Sequence, residues 1–157
     1  MQLISVVLLS YFFLTLPPFS EFDWEEKLEA LFLLNNAGIC LYYKSFSERK
    51  DLMSEHLVSA AIASINIMLR ELSETKEQKR AFSVIKKKGE NVIIYQGEFV
   101  AGVLYTSEEL NLPKLALKDF VEKFETLYHN ILVDWDGLMD IFSPASIIAD
   151  DLFKTKV

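Results

Sequence analysis

The feature that most constrains this chain is a run of three strand-forming segments placed end to end near its middle. Lys79–Lys87 contains the alternating Ala81-Phe82-Ser83-Val84-Ile85. Asn91–Gln96 reads NVIIYQ and Phe99–Thr106 reads FVAGVLYT, both rich in the β-branched and aromatic residues that suit a pleated surface. Only Lys88-Gly89-Glu90 and Gly97-Glu98 separate the three. A parallel connection needs a crossover of a dozen or more residues, so connections this short predict an antiparallel meander.

The segments on either side add to that meander. Ala30–Asn35 is a short apolar run, Asn36-Ala37-Gly38 is a turn signal, and Ile39–Phe46 (ICLYYKSF) is aromatic and β-branched, so the two runs predict a hairpin. Ser20 and Asp23 are placed to cap a short helix over Glu21–Glu29. Leu52 to Leu72 holds no Pro or Gly and predicts a long helix with two apolar stripes. Met53, Leu57, Ala60, Ala61, Ser64 and Met68 form one; Val58, Ile62, Ile65, Leu69 and Leu72 form the other. A helix on a single core shows one such stripe. Two predict that one side meets the sheet and the other meets a second apolar surface. After Asn111 and Pro113, Leu117, Phe120, Val121, Phe124, Leu127, Tyr128, Ile131 and Leu132 keep amphipathic helical spacing. Ser143-Pro144 places a cap before a first-turn proline, and Ile147, Ile148, Leu152 and Phe153 make a short last helix.

Residues 1–19 stand apart. No charged side chain occurs before Glu21, and Leu3 to Leu16 is nearly continuous in apolar residues. Three readings compete. A secretory signal has this length of apolar run, but here no Lys or Arg precedes it and no A-x-A-like site follows. A membrane anchor needs about 20 apolar residues, and Pro17-Pro18 ends this run short of that. The third is an extension that packs on the domain or a partner, or that lies outside the domain through an upstream start. Contact with a membrane would fall to Leu3, Ile4, Val7, Leu8, Tyr11, Phe12 and Phe13. The domain itself is expected over residues 20–157.

Charge and chemistry exclude several function classes. The net charge is −7, and residues 101–157 carry 10 acids against 5 bases, which argues against a nucleic-acid partner. No phosphate-cradling glycine motif occurs. The single cysteine, Cys40, lies in an apolar strand and reads as a small hydrophobe, not a nucleophile. His56 and His129 fall in different helices and read as surface or boundary residues. Asp134, Asp136 and Asp140 surround Gly137 without the spacing of a calcium loop. Asp150-Asp151 reads as a solvent face, and Trp24 and Trp135 as packing residues. Lys86-Lys87-Lys88 marks a solvated hairpin tip that protects a sheet edge, or a contact for anionic headgroups. No cofactor, metal or catalytic group is expected.

The order β-β-α-β-β-β-α-α, with LFLLNNAGICLYYKSF over the first hairpin and the long helix over Leu52–Leu72, resembles the longin domain. It is equally similar to the related roadblock domain, which has an extra helix before its first strand; the helix expected over Glu21–Glu29 keeps both open. The resemblance implies an α+β fold, a five-stranded antiparallel sheet flanked by helices. It also implies a non-enzymatic scaffold in trafficking or signalling that pairs with itself or a related subunit and engages a small GTPase. The partner surface expected from the long helix is Met53, Leu57, Val58, Ala61, Ile62, Ile65, Met68 and Leu69. A cytoplasmic location is expected, at a membrane where residues 1–16 anchor the chain. The alternatives are a membrane-tethered or secreted protein of the same fold, and a domain that senses a small ligand in a pocket.

Overall fold

The computed structural model of the chain describes residues 2–15, 23–46, 65 and 82–153. Five strands form one antiparallel sheet: β1 (Leu28–Asn35), β2 (Cys40–Ser45), β3 (Phe82–Lys87), β4 (Glu90–Gln96) and β5 (Val100–Thr106). Their order across the sheet is β2-β1-β5-β4-β3. The described helices are α1 (Gln2–Thr15), α2 (Asn111–Val133) and α3 (Ala145–Phe153), with 3-10 turns at Trp24–Lys27 and Asp140–Phe142. The fold is α+β, and the meander and hairpin form as their short connections require.

Turn chemistry sets two of the three hairpins. Lys88 and Gly89 alone connect β3 to β4, since Lys87 already pairs with Glu90, and Gly89 takes φ 81, which favours glycine. Between β1 and β2 the side chain of Asn35 does the work. Its Oδ1 accepts from the backbone N–H of Ala37 at 3.0 Å and of Ile39 at 2.8 Å. This Asx-type turn closes over Gly38, whose φ is 82.

The chain before β1 departs from expectation. Instead of a helix over Glu21–Glu29, a single 3-10 turn spans Trp24–Lys27 and the strand begins at Leu28. Leu28 pairs with Thr106 and is buried, and Lys27 O accepts from the N–H of Ser107 at 2.9 Å. Pairing with β5 therefore captures residues that local capping signals favour as helix.

β1 is buried on both faces, which explains why LEALFLLN is a continuous apolar run and not an alternating one. Leu31 and Leu33 face α2 and α3 in a core with Tyr95, Leu117, Phe120, Phe124, Phe142 and Phe153. Ala30, Phe32 and Leu34 face the other way, with Val92, Ile94 and Val103. Ile65 joins this second core, helical and fully buried.

Candidate functional site

The long-helix surface lies almost wholly outside the described residues. Met53, Leu57, Val58, Ala61, Ile62, Met68 and Leu69 are all outside them, as is His56. Ile65 is within them, and its side chain is 0% exposed against β1, β4 and β5. It belongs to the chain's own core, so it is not available to a partner.

The opposite face of the sheet is closed by α2. Its apolar stripe of Leu117, Phe120, Val121, Phe124 and Tyr128 is buried. Gly102 in β5 lets the helix come close, since a Cβ there would sit 2.6 Å from Val121 Cγ2 and 2.7 Å from Leu117 Cδ1. Beyond this contact Glu125 reaches from α2 to the β4–β5 connection. Its Oε1 accepts from the N–H of Phe99 at 2.7 Å and of Val100 at 3.1 Å. Gly97 is required beside it, because a Cβ there would collide with that carboxylate and lie 2.8 Å from Val100 O.

An open groove of about 670 Å³ lies between this connection and α2, lined by Glu98, Phe99, Glu122, Thr126, His129 and Asn130 among others. Several of its polar groups are engaged within the fold. Glu122 accepts from the Tyr95 hydroxyl at 2.9 Å, Glu125 holds the two backbone amides, and His129 stands edge-on to Phe99 with centroids 5.3 Å apart. The groove is a brace between helix and hairpin. Among the described residues no group of three or more His, Cys, Asp or Glu is placed to hold a metal ion.

The remaining chemistry-bearing residues have structural partners. Cys40 is half-buried at a bulge in the β1–β2 pairing, and its thiol donates to Tyr42 O at 3.3 Å. Burial pushes that thiol's pKa up, away from a reactive thiolate. Burial, with Asp150 nearby, also pushes the Tyr42 hydroxyl up to about 12. Lys44 of β2 pairs with Asp150 of α3, so Asp150 is tied to the sheet. Lys86 and Lys114 converge on Glu109 at 2.5 and 2.7 Å and hold its carboxyl down at about 2. Asp136 Oδ1 accepts from Leu138 N–H at 3.1 Å within that acidic loop. Trp24 packs edge-on to Phe153 and Trp135 against Phe142, as packing residues should.

Every expected membrane-contact residue lies on α1, a helix with no charged residue. Val6, Val7, Leu8, Leu9, Tyr11 and Phe12 are all between 62% and 68% exposed. Val6, Val7, Leu8 and Leu9 are therefore outside the domain's core. The uniform apolarity that blocks a core fit was visible in the sequence, but its exposure was not. Among the described residues no helix is long and apolar enough to cross a membrane.

No family model matches the chain, and no curated protein matches it in sequence. Among solved structures the chain is similar to Myxococcus xanthus MglB, with a TM-score of 0.48 at 12% sequence identity, over 73% of this chain and 85% of that one.

Proposed function

We propose that the chain is a non-enzymatic interaction scaffold of longin or roadblock build, cytoplasmic, that pairs with a second copy or a related subunit and engages a small GTPase. The observation that supports this reading most is the closure of the sheet on both faces. One side is filled by α2 and α3, and the other is buried around Phe32, Ile94 and Ile65. A sheet closed on both faces offers partners its outer helix surfaces and edges in place of a central pocket. The proposed partner surface is the long-helix stripe of Met53, Leu57, Ala61 and Met68, the stripe that does not contain the core residue Ile65.

The test is the native mass of the full chain at micromolar concentration, with capture on a panel of small GTPases loaded with GDP or a GTP analogue. A dimer that Leu57→Glu with Met68→Glu converts to a folded monomer, together with nucleotide-dependent capture, is the expected result. A monomer that binds no GTPase in either state overturns the reading.

A further inference from the structure

We infer that α1 is a membrane-docking helix that enters the hydrocarbon of a weakly charged bilayer without crossing it. This goes beyond the scaffold reading and does not rest on it. Val6, Val7, Leu8 and Leu9 are consecutive, and at about 100° per residue they point to every side of the helix. All four are more than 60% exposed. A groove on a protein, or a second helix, covers one side of such a rod. A hydrocarbon phase covers all of it, which is where helices that are apolar all round belong when no protein core encloses them. The polar residues in α1 are Gln2, Ser5, Ser10, Tyr11 and Thr15; Ser and Thr hydroxyls can bond back to a carbonyl one turn earlier, which hides them from lipid, and a tyrosine suits the membrane interface.

Length decides how far it goes. Fourteen residues rise about 21 Å, short of the roughly 30 Å hydrocarbon core. An apolar helix of this length is a core helix, a re-entrant or interfacial segment, or the apolar stretch of a signal peptide. Exposure removes the first, and removal of residues 1–19 from the mature chain is an outcome of the test below. Charge decides the lipid. Glu21, Asp23, Glu25 and Glu26 follow α1 closely in the sequence, and at low salt, where the Debye length is about 30 Å, an anionic surface repels them.

The experiment floats the full chain with phosphatidylcholine vesicles, alone and with phosphatidylserine added. The expected result is binding to phosphatidylcholine that Val7→Asp with Leu8→Asp lowers on the order of 100-fold, since an acid at the centre of an inserted helix is strongly disfavoured. The melting temperature of this variant stays unchanged, which shows that the domain is intact. Phosphatidylserine should weaken binding about threefold at low salt. In floated vesicles carrying Cys40→Ser with Gln2→Cys, an impermeant maleimide added outside should label position 2. Failure to float, equal flotation of the double variant, or stronger binding to phosphatidylserine overturns the proposal. So does protection of position 2 until detergent is added, self-association through α1 in place of vesicle binding, or a mature chain that lacks residues 1–19.

Discussion

Helices α1 and α2 make opposite use of apolar residues. α1 has no charge and is apolar on all sides, yet its described side chains lie in the open. α2 is longer, carries several charged residues, and buries Leu117, Phe120, Val121 and Phe124 completely. Burial follows pattern and not apolar content. A stripe with a polar back can lie on a sheet and satisfy both solvent and core. A helix with no polar back cannot sit at a protein surface without leaving one apolar side exposed. The same contrast separates Ile65, which is sealed under the sheet, from Leu8, which is 64% exposed.

The sharpest way to break this comparison is to cut into the α2 stripe. Phe124→Ala removes a ring that packs on Tyr128 at 4.6 Å and Phe142 at 5.4 Å, and should cost about 3–5 kcal/mol in chemical denaturation. Ile65→Ala should cost about 2–5 kcal/mol, because the residue fills the second core. A loss under about 1 kcal/mol would show that this face is not closed around Ile65. Gly102→Ala pushes a methyl into Leu117 and Val121 and should cost about 1–3 kcal/mol, with the shift read from the urea midpoint.

The next effect is smaller and depends on pH. The carboxyl of Glu109 is held down by hydrogen bonds from Lys114 and Lys86. Its contribution is therefore present above its unfolded value and is lost as pH falls from about 4.5 toward about 2. Solvent screening keeps it below about 1 kcal/mol. Glu109→Gln should flatten the dependence of the melting temperature on pH in that window, lowering neutral stability by less than about 1 kcal/mol and leaving stability near pH 2 unchanged. Smallest of all, Leu8→Ala should alter stability by less than about 0.5 kcal/mol in calorimetry without lipid. A larger loss would place α1 in the core after all.

Much of the fold was legible because it is local. Gly89 and the short connections around it require a meander, and the spacing from Leu117 to Tyr128 requires an amphipathic helix. The segment before β1 misled because Ser20, Asp23 and the following acids are helix-start signals, while the pairing partner that overrides them, Thr106, is 78 positions beyond Leu28 in the sequence. The two stripes of the long helix were visible, but not that Ile65 would be sealed against the sheet. The Glu125 brace carried no sequence signal, since an acid on a helix face ordinarily reads as solvated and its partners are backbone amides of another element.

The sequence by itself determined the elements, their antiparallel pairing across short turns, the acidic charge and the charge-free character of the first 20 residues. Each of these depends on neighbours a few positions apart. Only the tertiary structure decided that β1 lies between β2 and β5, that Leu28 extends as strand, that Ile65 belongs to the core, and that α1 is left outside it. Those outcomes depend on pairing and burial between residues far apart in the chain, where long-range contacts outweigh local preference.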